Sequence, residues 1–239
     1  MSISVVMPCY NEGEVIGKTV RAYYNEIIRK IDDSEFIVVD DCSKDNTHDI
    51  LEGLRGEFPR LKILKTPVNS GHGKTIRMGY EAAKKDYVFQ VDSDRQFEPK
   101  DFWKLYTLKD SYDFILGFRK RRHDPLSRLI LTRITRLLNL VFFGVWIKDS
   151  NCPFRIVKKE ILDKFLNLIA KEAVAPNVMI SILAKKKGIR VAEVPVTHYR
   201  RRANSVSLAH WKLIKYGLEG LVELVAFKKS KLGEIHIGR

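Results

Sequence analysis

The stretch Val88-Phe89-Gln90-Val91-Asp92-Ser93-Asp94 constrains this chain most: an apolar run stops abruptly at two carboxylates one residue apart. Side chains on a β-strand alternate faces, so Asp92 and Asp94 project the same way from the strand's carboxyl end. Hard divalent cations take carboxylate oxygens, and Mg²⁺ usually combines one or two protein carboxylates with substrate phosphates. A solvated Asp-Ser-Asp turn is the alternative reading of the same tripeptide.

A second acidic cluster follows an earlier run, Phe36-Ile37-Val38-Val39-Asp40-Asp41-Cys42-Ser43-Lys44-Asp45-Asn46-Thr47, where Ser43 to Thr47 can turn the chain and cap a helix. The first run obeys the same grammar, since Ile3-Ser4-Val5-Val6-Met7 ends at Pro8-Cys9-Tyr10-Asn11-Glu12. Open α/β sheets bind ligands outside the carboxyl ends of their strands, so polar groups at these ends point to a nucleoside-diphosphate site.

The spacing predicts strands near 3–7, 35–39, 61–65, 87–91 and 113–117, with helices near 14–30, 46–55, 73–85 and 99–109. Such alternation indicates βαβ units and a largely parallel sheet. Neither common phosphate loop is present. Cys9 to Gly13 lacks the Gly-x-Gly-x-x-Gly pattern, and Val68 stands where a Walker loop before Gly73-Lys74-Thr75 needs glycine. Asn69 to Lys74 reads either as a glycine-rich helix start facing a phosphate or as a tight turn.

Beyond residue 120 the pattern changes. Residues 126–147 read as a helix with Arg128, Thr132, Thr135, Arg136 and Asn139 on one face and Leu126, Ile130, Ile134, Leu137, Leu138 and Val141 on the other. Polar interruptions argue against a spanning helix, leaving core packing or a membrane surface. Residues 208–227 repeat the pattern, with Lys212, Lys215, Glu219 and Glu223 opposite Trp211, Ile214, Leu218, Leu221, Val222 and Val225. The expected division is a domain over 1–206 and a helix with a basic tail over 207–239.

The formal net charge is +14, and segments 119–136 and 185–202 supply +12 of it. Such clustering suits an anionic partner: phosphates, nucleic acid or an anionic membrane. The length, 239 residues with 45% hydrophobic content, suits a globular α/β domain. An odd count of three cysteines with no pairing pattern suggests a reduced, cytoplasmic compartment, and no signal peptide is read at the start.

Together these residues resemble the family 2 glycosyltransferases of GT-A fold, particularly the dolichol-phosphate-mannose and polyprenyl-phosphate-sugar synthase branch. The resemblance rests on Pro8-x-Tyr10-Asn11-Glu12, Val39-Asp40-Asp41-x-Ser43-x-Asp45-x-Thr47, Asn69-x-Gly71-x-Gly73-Lys74 and Asp92-Ser93-Asp94-x-Gln96. It continues through Asp113 to Arg119, then Glu193-Val194-Pro195-Val196 and Arg200-Arg201-Arg202. It implies an α/β, Rossmann-like GT-A fold with a mostly parallel central sheet and C-terminal amphipathic helices.

By resemblance, Pro8, Tyr10, Glu12, Val39 and Asp41 line the nucleoside pocket, and Lys74 belongs to the same nucleotide-binding set. Asp92 and Ser93 approach ribose and diphosphate, while Asp94 with Gln96 holds Mg²⁺ or Mn²⁺. Arg119, Arg200 and Arg202 face phosphates, and Asp94, Arg119 and Asp92 form the catalytic set.

The implied reaction is inverting transfer from a nucleotide sugar, such as GDP-mannose or UDP-glucose, to a polyprenyl or dolichyl phosphate. It would occur peripherally on the cytoplasmic membrane face, with a separate membrane subunit as a possible anchor. Departures at Pro153, Ala203 and Ala175-Pro176-Asn177 leave the sugar open. The only glutamines are Gln90 and Gln96, which excludes the Gln-x-x-Arg-Trp motif of processive synthases. Two alternatives stand beside this reading: a non-processive transferase acting on a saccharide or lipid-linked saccharide, and a non-catalytic nucleic-acid-binding module. The basic runs lack interleaved stacking aromatics, so no nucleic-acid partner is expected.

Overall fold

The computed structural model describes residues 2–120, 126–200, 219, 220 and 222–227. Its strands are β1 (Ile3–Cys9), β2 (Ser34–Asp40), β3 (Leu61–Lys65), β4 (Tyr87–Gln90), β5 (Phe114–Arg119), β6 (Arg155–Lys158) and β7 (Val191–Val196). Its helices are α1 (Ile16–Glu26), α2 (Thr47–Leu54), α3 (His72–Ala82), α4 (Phe102–Tyr106), α5 (Leu126–Phe143), α6 (Lys159–Leu168) and α7 (Pro176–Lys186). Among the described residues the strands form one seven-stranded sheet in the order β3-β2-β1-β4-β6-β5-β7. All neighbouring pairs are parallel except those made by β6, which runs antiparallel to β4 and β5.

This order places the site. The chain steps outward from β1 to β2 to β3, then crosses back to lay β4 on the other side of β1. Right-handed crossovers put α1 and α2 on one face and α3 on the other. Accordingly α1 packs on α2, while α3 covers β1 and β2 and meets α6 and α7. The reversal between β1 and β4 opens a crevice at their carboxyl ends, the usual ligand position in such sheets.

Every residue of β1 and β2 is buried, as expected of central strands covered on both faces. Pro8 is tolerated in β1 because of register. The carbonyl of Val6 accepts from Val91 on the β4 side and that of Cys9 accepts from Asp41 on the β2 side. Alternation turns the missing N–H of Pro8 toward β4, where pairing has already ended at Val6 and Gln90. Beneath the crevice, Phe89 sits edge-on to Phe102 and Phe154, with ring centroids 5.0 and 4.8 Å away.

Several expected boundaries move. The 14–30 helix ends at Glu26 and continues as a 3₁₀ turn over Ile28–Lys30. The 99–109 helix becomes a 3₁₀ turn at Pro99–Asp101 and the short α4. The 126–147 helix stops at Phe143, because Gly144 takes φ +66° and donates its N–H to the Leu140 carbonyl.

One position of α5 also differs from expectation: Asn139, placed on the polar face, is buried and donates to Ser150 Oγ. Most of the 208–227 expectation lies outside the described residues. Within them, Leu224 and Phe227 are buried, Val222 and Val225 are exposed, and the Glu223 carboxylate accepts the Val174 N–H. The inward face there is therefore not the one the hydrophobic pattern selected.

Candidate functional site at the carboxyl ends of β1, β2, β4 and β5

The loops after β1 and β2 are tied together by side chains bonded to backbone. Ser43 Oγ accepts the Asn11 N–H at 2.9 Å, and Asn11 Oδ1 accepts the Lys44 N–H at 2.8 Å. Thr47 Oγ1 accepts the N–H of Glu12 at 2.8 Å, and Asp45 Oδ2 that of Gly13 at 3.0 Å. Burial opposes ionisation of Asp45, but bonds from the Thr47 hydroxyl and the Gly13 and Thr47 amides outweigh it and hold its pKa below the ordinary value. Pro8 and Val39 are opposed in the ladder beneath these loops, Glu12 is buried, and Tyr10 is exposed above them.

Asp41 is 3% exposed. Its carboxylate accepts Thr66 Oγ1 at 2.9 Å and the amides of Ser70 and Gly71, each at 2.8 Å. Those two amides of the glycine-rich segment are therefore engaged by Asp41, and the first turn of α3 begins beyond them. Gly73 is required there by close approach: a Cβ would lie 2.2 Å from the Ala173 carbonyl oxygen. Lys74 pairs with Glu172 on the surface.

The turn after β4 is pinned from below by α1. Thr19 Oγ1 lies 3.0 Å from the Ser93 carbonyl and Tyr23 Oη 3.4 Å from that of Phe97. Burial, with the nearby Asp94 carboxylate, drives the Tyr23 pKa up and keeps its phenol a donor. At the turn itself, the Gln96 N–H reaches Asp94 Oδ1 at 3.1 Å. Asp92 Oδ1 is buried and has no hydrogen-bond partner among the described residues, with His72 Nε2 3.9 Å away. A cleft of about 670 Å³ brings Asp94 and Arg200 together with Tyr23 and Glu98.

Asn11, Cys42 and Arg95 are the only non-glycine residues with positive φ among the described residues, at 51°, 56° and 59°. One falls in each loop after β1, β2 and β4. Backbone strain of this kind persists where surrounding bonds over-determine it, and it concentrates at functional sites.

At the end of β5, Arg119 forks onto Asp149, with Nε to Oδ2 at 2.7 Å and Nη2 to Oδ1 at 2.9 Å. Both side chains are largely buried, 13% and 4% exposed. The structure thus gives the expected phosphate-facing arginine a carboxylate that orients it. Arg202 lies outside the described residues.

The donor set suits a hard cation. Asp94 and Gln96 offer oxygens from one turn, and the buried Asp92 oxygen lies two residues from Asp94 on the same chain segment. No group of three or more His, Cys, Asp or Glu suited to a metal occurs among the described residues. An ion here would complete its shell with substrate phosphates. Sequence reasoning missed Thr19, Tyr23 and His72 as neighbours of this turn. A signal existed for the first two, since their i, i+4 spacing places polar atoms on the buried stripe of α1.

This geometry defines a GT-A-type sheet with a polar crevice at the carboxyl ends of its strands. The profile of the family described as Glycosyl transferase family 2 matches residues 4–166. The chain belongs to glycosyl transferase family 2.

It is similar to the undecaprenyl-phosphate 4-deoxy-4-formamido-L-arabinose transferase of Serratia proteamaculans, 27% identical over 215 residues, 89% of this chain and 64% of that relative. This chain thus spans under two thirds of that relative's length. Its fold is also that of glucosyl-3-phosphoglycerate synthase from Mycobacterium tuberculosis. The complex of that enzyme with phosphoglyceric acid gives a TM-score of 0.70 at 18% identity, covering 95% of this chain and 80% of the other. The complex with Mn²⁺, UDP and phosphoglyceric acid gives 0.69 at 17% identity, covering 95% and 78%.

Proposed function

We propose that this protein is a metal-dependent, inverting glycosyltransferase that moves a sugar from a nucleotide-sugar donor to a polyprenyl or dolichyl phosphate. The observation that carries the reading is the turn Asp92-Ser93-Asp94-x-Gln96 at the β1/β4 crevice, with Arg119 at the carboxyl end of β5 on the same edge of the sheet. A phosphate oxygen of the acceptor forms a bond to the anomeric carbon. The bond from that carbon to the donor diphosphate breaks on the opposite side, and a nucleoside diphosphate leaves.

An acceptor phosphate is already anionic at neutral pH, so little base catalysis is needed. Arg119, held by Asp149, supplies preorganised positive charge to phosphate, and Arg200 borders the cleft shared with Asp94. Mg²⁺ or Mn²⁺ bound by Asp94 and Gln96 would neutralise charge growing on the diphosphate. The ends of β1 and β2, with Pro8, Tyr10, Glu12, Val39 and Asp41, would receive the nucleoside, with Lys74, Asp92 and Ser93 on the phosphate side.

The lipid acceptor is favoured by α5. Ile134, Leu137 and Val141 lie at i, i+3 and i+7, and are 43%, 58% and 65% exposed. Trp146, beyond the end of α5, is also exposed, with the Arg136 guanidinium 5.4 Å from its ring centroid. An apolar row edged by Arg133, Arg136 and Lys148 suits peripheral binding to an anionic membrane on the cytoplasmic side, with a separate membrane subunit as a further anchor. No helix among the described residues is long and apolar enough to cross a membrane. The named transferase relative, whose own name contains undecaprenyl phosphate, supports the same acceptor class.

The test is a matrix of common nucleotide sugars against a short polyprenyl phosphate, 3-phosphoglycerate and simple saccharides, with Mn²⁺ or Mg²⁺ present and products identified by mass spectrometry. A glycosylated polyprenyl phosphate is expected. Transfer only to a saccharide would replace the acceptor, and binding of nucleic acid without any transfer would overturn the enzymatic reading.

A further inference from the structure

The turn that offers Asp94 and Gln96 is held from below by α1 and from its other side by the segment that leads into the arginine run. The Tyr199 N–H donates to the Gln96 carbonyl at 2.7 Å, and Gln96 Nε2 donates to the Tyr199 carbonyl at 3.1 Å. Phe97 and His198 continue this pairing as an antiparallel bridge, with their rings 5.2 Å apart. A carbonyl accepts and cannot donate, so the end of the Gln96 amide that meets Tyr199 is its NH₂. Its Oε1 is consequently the end left for a cation. Gln96 is 8% exposed, so its amide is held in a confined setting.

We propose that the peptide group of Tyr199 is a positioning element: it fixes the Gln96 rotamer that presents oxygen to the metal, so that the metal turn and the segment entering Arg200 become ordered as one unit. This rests on the metal-dependent reading above. The reciprocity is physical. Fixing Gln96 on a cation strengthens its bond to Tyr199, and fixing Tyr199 narrows the rotamers of Gln96. The next residue, Arg200, borders the cleft that contains Asp94. Metal occupancy thereby prepares the segment that meets phosphate. The Tyr199 phenol, bonded to Glu98 Oε2 at 3.0 Å, plays no part in the coupling.

The experiment measures Mn²⁺ binding by electron paramagnetic resonance, and hydrogen exchange over residues 197–200 with and without Mn²⁺, a nucleoside diphosphate being present throughout to complete the ion's shell. In the wild type, Mn²⁺ should slow exchange at the Tyr199 amide several-fold, because a fixed Gln96 holds the existing pairing against local opening. Gln96→Glu keeps an oxygen ligand but loses the donor to Tyr199. It should bind Mn²⁺ at least as tightly while the slowing disappears and the KM for phosphate acceptor rises. Tyr199→Phe keeps the peptide and should behave as wild type. Gln96→Asn, one methylene shorter, should lose the slowing too, and supplies the answer if the glutamate variant does not fold.

Equal slowing in the wild type and the Gln96 variants, loss of slowing in Tyr199→Phe, or Mn²⁺ binding without slowing in the wild type would each overturn the coupling. That last result leaves the metal-dependent reading standing, whereas a wild type that binds no Mn²⁺ overturns both.

Discussion

The strand-end loops after β1, β2 and β4 and the outer surface of α5 face solvent by opposite means. In the loops, backbone amides meet side-chain oxygens: Asp41, Asp45, Ser43 and Thr47 each accept from a neighbouring segment. On α5 the polar Asn139 is turned inward and the apolar Ile134, Leu137 and Val141 are turned outward. A crevice that must stabilise developing charge needs donors and acceptors fixed in advance. A helix that meets a second phase needs an apolar face left uncovered. On the proposed function one region serves chemistry and the other attachment, so substitutions should separate the two properties.

The largest effect is expected from Asp94→Asn. The amide oxygen can still accept the Gln96 N–H, so the melting temperature should hold, while turnover falls roughly 10²–10³-fold from loss of several kcal/mol of metal-centred stabilisation. A calorimetric scan beside an initial-rate assay checks both halves.

Arg119→Lys should cost less but affect both properties. Lysine cannot reproduce the two-pronged contact with Asp149, so stability should fall by about 1–3 kcal/mol in urea titration, with reduced activity. Near-normal values for both would place Arg119 outside the phosphate site.

Ile134→Glu with Leu137→Glu reverses the pattern. Both side chains are exposed, so stability should change by no more than about 0.5 kcal/mol. Flotation with anionic liposomes should be lost and transfer to water-soluble acceptor analogues retained. Unfolding of this variant would show that the helix face is covered in the folded protein.

The smallest effect concerns Asp113, which Arg190 and Lys158 hold at a pKa of about 2. An unfolded aspartate titrates near ~3.9. The pair's contribution is therefore present above that value and is lost as pH falls from about 4 toward 2. Arg190 is well exposed, so solvent screening keeps the contribution small. Asp113→Asn should flatten the acid-unfolding curve slightly in that window alone.

The sequence made the crevice half legible because apolar β-runs ending in acids and caps leave a local signature. Strand β3 falls at the expected 61–65, and β1, β2 and β4 lie within two residues of expectation. The other half was obscured by tertiary context. Strand β6 is only Arg155 to Lys158 and opens with a fully buried arginine, whose guanidinium donates to the carbonyls of Ser150, Cys152 and Asn177. Those acceptors are backbone groups that no residue pattern reveals. Strand β7 carries Pro195 and sits at the sheet edge, where proline is tolerated but weakens the strand signal. The aspartate that clasps Arg119 stands 30 residues away, and the Tyr199 peptide that orients Gln96 belongs to a different strand's exit.

Metal-assisted sugar transfer at the β4 turn is the reading on which the other proposals rest. Its most direct measurement is transfer of sugar to a short polyprenyl phosphate by wild type and Asp94→Asn, first in excess chelator and then with Mn²⁺ or Mg²⁺ restored. Wild-type activity should vanish in chelator and return with metal, and metal should not rescue the variant. Undiminished wild-type transfer in chelator, or full rescue of Asp94→Asn, would contradict that reading.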